Sequence, residues 1–337
     1  MKITACYIVK NEAASLAKSL ASIQQAVDEI IVVDTGSTDQ TKEIAQKYRA
    51  QVYDMPWQDD FSLPRNYALS KAKGDWVIFL DADEYFPARF AKKIRPLIKK
   101  TAAQGHKGVI LIRRYDIDPD ADNEILADAF VMRILYNNKD FRYEGSIHEE
   151  LLDKGKSIHD YLIVPPEKLH LLHTGYRTSL SLDKARRNLS LLLKELETTD
   201  NPGRLYGFLA DAYLGLEDAD NAWKYAIMDV EQGRRPTTYA SRSYRILLQL
   251  AVQYHVTLEE RYQLCCLAVK NFPELPEFHA ELAECLAGKE NFSAAIMEMN
   301  KAFSLYHNYQ GIEPMLMDEE MIKMAKMRKK QWERQNE

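Results

Sequence analysis

The sequence has no apolar run long enough to span a bilayer. Runs such as Ile30–Val33 and Trp76–Leu80 fall far short of the roughly 18 residues that a membrane-spanning helix needs. It has only four cysteines, Cys6, Cys265, Cys266 and Cys285, and no Cys-x-x-Cys pair. In a chain of 337 residues that is no disulfide framework, and the apolar neighbours of these thiols suit reduced core cysteines. No Gly-x-Gly-x-x-Gly, P-loop or His-Glu-x-x-His stretch occurs, which leaves dehydrogenase, P-loop kinase and zincin chemistry without a motif. Charge of one sign is also lacking. The 45 Lys and Arg nearly cancel the 50 Asp and Glu, for a net −5, so nothing draws the whole chain to nucleic acid or an anionic membrane and any charged site must be local. The start, Met1–Lys10, has two lysines and no small-residue cleavage site. It reads as a strand rather than a secretory signal, and a soluble, cytoplasmic protein is expected.

What is present divides the chain in two. A hydrophobic share of 46% and a charged share of 28% fit a globular protein, and the length fits about two domains. In the first half, short apolar runs alternate with amphipathic stretches. Ile3–Val9 is strand-like and ends in Lys10-Asn11-Glu12. Leu16, Leu20 and Ile23 mark a helix face. Glu29–Val33 is a second strand that ends in the turn cluster Asp34-Thr35-Gly36-Ser37-Thr38-Asp39, which caps a helix over Gln40–Arg49. A short strand at Gln51–Tyr53, a helix over Leu63–Ala72 ended by Gly74, and the apolar strand Asp75–Leu80 follow. This alternation predicts a parallel α/β sheet covered on both faces. Gly108–Arg113 and Ala129–Tyr136 read as further strands around an acidic loop, Asp116–Asn123.

After about Ser179 the strands stop. Leu180–Leu196 reads as an amphipathic helix, and helical pairs follow. Aligning Ala210, Gln249 and Ala283 gives spacings of 39 and 34 residues, close to the period of roughly 34 of a tetratricopeptide array. Small residues at Ala222, Ala268, Ala295 and Ala302 let paired helices approach. The predicted domains are 1–176, α/β, and 177–337, all-α and repeat-like, with a terminal helix over Glu319–Glu337. The late methionines, Met315, Met317, Met321, Met324 and Met327, fill a core or a homodimer face.

The residues that carry chemistry cluster at strand ends. Asp81-Ala82-Asp83-Glu84 follows a buried-looking strand, and in open α/β sheets ligands bind at the carboxyl ends of strands. Asp81 and Asp83 at i, i+2 share a face if the segment is extended. Two such carboxylates repel unless a cation neutralises them, and Mg²⁺ or Mn²⁺ with a bound diphosphate would do so. The ends at Lys10-Asn11-Glu12 and Asp34 line the same crevice. Trp57, Asp59, Asp60 and Phe61 read either as a lid beside the site or as a polar loop. Lys92-Lys93 and Lys99-Lys100 read as a solvated helix face.

Taken in order, Ile8-Val9-Lys10-Asn11-Glu12, Val32-Val33-Asp34-Thr35-Gly36-Ser37-Thr38-Asp39, Arg65-Asn66 and Leu80-Asp81-Ala82-Asp83-Glu84 resemble a family 2 glycosyltransferase with a nucleotide-diphospho-sugar binding GT-A fold. The resemblance extends through Arg133, Gly145-Ser146-Ile147-His148-Glu149 and His173-Thr174-Gly175-Tyr176. The nearest branch is bacterial, with tetratricopeptide-like repeats behind the catalytic domain, similar to peptide S-glycosyltransferases and flagellin glycosyltransferases.

That resemblance implies a metal-dependent, inverting transfer from a nucleotide-sugar, of UDP type, to a peptide or protein. Asp34 would bond the nucleobase, with Lys10 and Glu12 lining the nucleotide pocket. Arg65 would approach the nucleotide or diphosphate, Asp81 the ribose, and Asp83 the metal. His173 is a further implied metal ligand, with His170 as its competitor. Glu149 is the candidate base, Glu150 its competitor, and His148 orients it or touches the phosphates. Two rivals stay open: a lipid or polysaccharide acceptor, and an inactive donor domain with a protein-binding scaffold.

Overall fold

The computed structural model describes residues 1–158, 160–175, 181–235 and 238–336, without the side chains of 181, 183 and 184. Tyr176 of the last motif, Leu180 at the start of the expected helix and Glu337 at the tail lie outside the described residues. The chain forms two compact units, Met1–Thr198 and Thr199–Glu337.

In the first unit, β1 (Ile3–Val9) leads into α1 (Leu16–Ile23), β2 (Glu29–Asp34), α2 (Thr41–Lys47) and β3 (Gln51–Asp54). Then come α3 (Ser62–Lys71), β4 (Trp76–Phe79), β5 (Glu84–Tyr85) and α4 (Ala88–Ala103). The remainder is β6 (Val109–Asp118), β7 (Glu124–Tyr136), β8 (Phe141–Glu144), β9 (Glu150–Asp153), β10 (Lys156–Ser157), β11 (Tyr161–Ile163), β12 (His170–His173) and α5 (Ser181–Leu196). One sheet runs β3-β2-β1-β4-β7-β6-β12-β5, with β11 against β6. The strands β3, β2, β1 and β4 are parallel, as expected, and β7 enters antiparallel to β4. The sheet is therefore mixed rather than wholly parallel.

Alternation along β1 sends Ile3, Ala5, Tyr7 and Val9 to one face with Leu16, Leu20, Phe90, Ile94 and Ile98 of α1 and α4. Cys6 points to the other face, with Val77, Phe79 and Ala68 of α3. Both faces of the sheet are thus dry, which is why its central strands read as continuous apolar runs. The expected acidic loop is shorter than its sequence suggested. β6 runs on through Arg114 and Asp116 to Asp118, because Arg114 and Asp116 find partners inside the fold. The turn between Ala121 and Glu124 closes the hairpin.

The second unit is helical among its described residues. A 3₁₀ turn, Pro202–Leu205, precedes α6 (Tyr206–Gly215), α7 (Ala219–Glu231), α8 (Arg242–Leu250) and α9 (Leu258–Asn271). The last three helices are α10 (Pro276–Gly288), α11 (Phe292–Asn308) and α12 (Glu319–Asn336). Side chains fix several starts. Asp218 accepts from Asn221 N–H, Asn291 accepts from Ala294 N–H, and Thr257 with Glu260 forms a capping box. Ala210, Ala222, Ala268, Ala283, Ala295 and Ala302 are fully buried, as close helix pairs require. Gln249 is exposed, and α8 turns Ile246 and Leu250 inward instead. Among the late methionines, Met317 is buried while Met321, Met324 and Met327 lie on the surface of α12. No helix among the described residues is long and apolar enough to cross a membrane.

Candidate active site

The first three polar strand ends meet at the carboxyl edge of the sheet. In register, Val9 pairs with Asp34 and Cys6 with Phe79, so β1, β2 and β4 end side by side. Hydrogen bonds tie the loops beyond them. Thr38 N–H donates to Asn11 Oδ1 at 2.8 Å, Asn11 N–H to Ser37 Oγ at 2.9 Å, and Glu12 N–H to Thr41 Oγ1 at 2.8 Å.

Asp34 is 1% exposed. Its Oδ1 accepts from Gly36 N–H at 2.9 Å and Ser37 N–H at 2.8 Å, a turn that needs Gly36 at φ +111°. Its Oδ2 is buried and has no hydrogen-bond partner. An unsatisfied buried acceptor costs about 1–3 kcal/mol, so the atom calls for a partner from outside the chain.

Asp81–Glu84 is a turn rather than an extended run: Glu84 N–H donates to Asp81 O at 3.0 Å. Asp81 and Asp83 therefore face different partners, contrary to the shared face expected from their spacing. Asp81 is clamped by two guanidiniums, Arg65 Nη2 at 3.3 Å on Oδ1 and Arg133 Nη2 at 2.6 Å on Oδ2. It stays 39% exposed on its side chain, open to the crevice. Arg133 also reaches Glu84 through Nε at 2.8 Å and Nη2 at 2.7 Å. Glu84 is fully buried. Arg65, on α3, pairs its Nε with Glu149 and lies 5.4 Å and 5.5 Å from the rings of Phe79 and Tyr143. Asn66 beside it bonds both backbone groups of Tyr143, fastening α3 to β8.

The charges continue beyond Glu84. Arg114 Nη1 lies 3.7 Å from Glu84, and its Nε lies 2.9 Å from Asp116 Oδ1. Asp116 Oδ1 meets His173 Nδ1 at 2.7 Å, and His173 Nε2 meets Asp83 Oδ2 at 3.2 Å. Strand register builds this end of the row, since His173 on β12 pairs with Asp116 on β6 and with Glu84 on β5.

The electrostatics follow. Burial disfavours the charged form of Asp81, but Arg133 and then Arg65 outweigh it and hold the carboxyl well below its usual range. Burial likewise opposes the charge on His173, and hydrogen bonds to Asp116 and Asp83 overcome it, raising the ring to about 9. Burial, assisted by Asp83, Asp81 and Asp39, pushes Glu12 up. Carboxylates are therefore crowded on the crevice side.

The other expected residues sit as follows. Lys10 is exposed at the end of β1, and Glu12 is half-buried with its carboxylate accepting from Ser15 Oγ at 2.6 Å. His148 is exposed at φ +50° in the loop before β9, and Glu150 opens β9 opposite Glu144. His170 bonds Pro166 O at 2.7 Å and packs against Phe90 and Tyr115, so the structure brings His173 and not His170 to Asp83. Trp57 Nε1 bonds Asp59 at 2.9 Å, and its ring packs on Phe61. Sequence reasoning missed Arg114 and Asp116. The signal was there, since two charges at i, i+2 in a strand share one face of the sheet.

The pair Asp83 and His173 suits a divalent cation, with one carboxylate oxygen and one imidazole nitrogen facing each other. A Cβ built on Gly175 would overlap Asp83 Oδ2 and lie 2.6 Å from His173 Nε2, so the space between the two exists because residue 175 has no side chain. Among the described residues, no group of three or more His, Cys, Asp or Glu is arranged to hold an ion.

Residues 4–152 match the model of the family described as glycosyl transferase family 2. The first unit has the mixed-sheet architecture expected of GT-A glycosyltransferases, and a helical unit follows it in the chain. The chain is 29% identical over 225 residues to the SPbeta prophage-derived glycosyltransferase SunS of Bacillus subtilis, covering 63% of this chain and 49% of SunS. It is 48% identical over 83 residues to a TPR repeat-containing protein of Synechococcus elongatus, covering 25% of this chain and 21% of that one. The chain thus spans about a fifth to a half of these curated relatives. A solved structure of S. aureus TarS 1-349 in complex with UDP-GlcNAc aligns over 92% of this chain and 93% of that one, at 18% identity and a TM-score of 0.43.

The clamp around Asp81 predicts an acid limb in stability. The folded carboxyls of Asp81 and Asp116 are held below their ordinary values. Their contribution is therefore present above about pH 4 and is lost as pH falls through the folded values. Arg133→Met leaves Glu84 buried and Asp81 half-clamped. It should cost about 3–5 kcal/mol at neutral pH and flatten the acid limb, read as urea midpoints between pH 5 and 2. A variant with wild-type midpoints at every pH would remove the clamp from the account.

Proposed function

We propose that the first unit binds a nucleotide-diphospho-sugar of UDP type and transfers its sugar, with inversion, to a peptide or protein acceptor. The observation that carries this reading is Asp34 Oδ2, a buried acceptor without a partner at the carboxyl edge of the sheet. A uracil N–H is a donor of the right kind, since an ionised carboxylate can only accept. The match to the glycosyl transferase family 2 model over residues 4–152 supports the reaction class.

In this reading Lys10 and Glu12 line the nucleotide pocket beside Asp34, and Asp81 accepts from the ribose hydroxyls. The two guanidiniums on Asp81 keep it ionised, which is the state that accepts. Arg65 approaches the diphosphate while Glu149 and Asp81 hold it in place. Asp83 and His173 would hold a Mn²⁺ or Mg²⁺ ion. When bound, the ion supplies Lewis-acid stabilisation of the charge that builds on the leaving nucleoside diphosphate. Glu149 is the candidate general base toward the acceptor nucleophile, with His148 as its neighbour. A cysteine acceptor would ask less of that base, because thiols ionise near pH 8.5. The catalytic part runs over 1–176, and the helical part over 177–337 acts as a tetratricopeptide-like array that engages the acceptor.

Two variants test this. Asp34→Asn keeps an oxygen for the Gly36 and Ser37 N–H groups but turns the orphan acceptor into a donor facing another donor. It should weaken uridine diphosphate about 10- to 100-fold, corresponding to about 1.4–2.8 kcal/mol, with little change in melting temperature. Wild-type affinity would move the base-binding role off Asp34. Asp83→Asn should abolish sugar transfer from a UDP-sugar, and undiminished transfer would sink the metal role.

A further inference from the structure

We infer that Asp116 and Gly175 frame the cation site: Asp116 aims the His173 ring at Asp83, and the absent side chain of Gly175 keeps the space between them open. The inference rests on the reading of Asp83 and His173 as the metal pair and assigns two residues that this reading does not use.

Asp116 is a positioning residue by its geometry. It is 4% exposed, and Arg114 holds it, donating from Nη2 to Oδ2 at 3.2 Å with Nε lying 2.9 Å from Oδ1. The same Oδ1 meets His173 Nδ1 at 2.7 Å, from a strand paired in register with β12. With Nδ1 committed to a fixed carboxylate, the ring presents Nε2 outward, the arrangement that orients metal-binding histidines. Turning the ring away would break that bond and leave Asp116 with Arg114 alone. The opposite ligand is held as well. Thr174 donates to the Asp83 carbonyl from both N–H, at 3.1 Å, and Oγ1, at 3.3 Å, so the end of β12 carries Asp83 with it.

Gly175 is the open wall. The three atoms nearest to a Cβ there are Asp83 Oδ2, His173 Nε2 and His173 Cε1. All three are tips of side chains, and none is backbone. A methyl group can be accommodated only if carboxylate and ring move apart, which leaves the main chain undisturbed and spoils the pair. With just two protein donors, the aim of each governs affinity.

The experiment is electron paramagnetic resonance of Mn²⁺ with the full chain and uridine diphosphate, read as free Mn²⁺ signal and as nitrogen modulation from a bound imidazole. Wild type should bind Mn²⁺ and show the nitrogen coupling. Gly175→Ala should melt like wild type and bind uridine diphosphate without metal as before, yet lose Mn²⁺ affinity at least tenfold. Asp116→Asn should lose Mn²⁺ affinity about 10- to 100-fold with weakened nitrogen modulation, and Asp116→Glu should recover part of both. If Gly175→Ala and Asp116→Asn bind Mn²⁺ as tightly as wild type with the modulation intact, the frame is overturned. If wild type binds uridine diphosphate but no Mn²⁺, the metal reading fails first and the frame falls with it, a result distinct from the former.

Discussion

The clamp of Arg65 and Arg133 on Asp81 is the interaction on which the rest of the first unit turns. It belongs to a continuous row of alternating charge that runs Glu149, Arg65, Asp81, Arg133, Glu84, Arg114, Asp116, His173, Asp83. The row ties α3, the loop after β4, β5, β6, β7, the loop before β9, and β12 into one edge of the sheet. Buried charges persist only when paired and hydrogen-bonded. Removing one member therefore strands its neighbours, and the edge behaves as a unit. Five carboxylates face three arginines and one histidine along it, so the row ends in surplus acid at Asp83, beside Glu12.

That surplus explains how one structure serves stability and binding together. Glu84 is wholly enclosed and locks the edge, while Asp81, two residues beyond β4, keeps part of its surface exposed. The arginines hold Asp81 ionised and fix the acids in place before any ligand arrives, so little reorganisation remains at the moment of binding. A cation between Asp83 and His173 would relieve the repulsion that Glu12 registers. A diphosphate would then meet a cation and Arg65 rather than bare carboxylates. The helical unit stands on different physics: buried alanines, side-chain caps and an aromatic cluster of Tyr244, Phe272 and Phe278.

The parallel core strands, their order of appearance and the three polar strand ends were legible in the sequence because each depends on local pattern: alternation, apolar runs and turn residues. Asp34 was legible as a capping acid at a strand end, although its orphaned Oδ2 was not. What sequence could not supply was pairing across strands. The contact of His173 with Asp116 is set by the register of β12 on β6, and that register depends on residues far apart in the chain. For the same reason Asp116 passed for the start of an acidic loop, Arg114 was left outside the expected strand, and Asp81 and Asp83 passed for partners on one face. In the helical half, buried alanines were readable where the repeat is regular. The Gln249 register slipped because Ile246 and Leu250, not a small residue, fill that layer.

One measurement bears on the central claim most directly: calorimetric titration of uridine diphosphate into the full-length chain, with and without Mn²⁺. The account predicts one binding event per chain that tightens at least tenfold when Mn²⁺ is present, with adenosine and guanosine diphosphates binding more weakly. No detectable binding of any nucleoside diphosphate under either condition would contradict it.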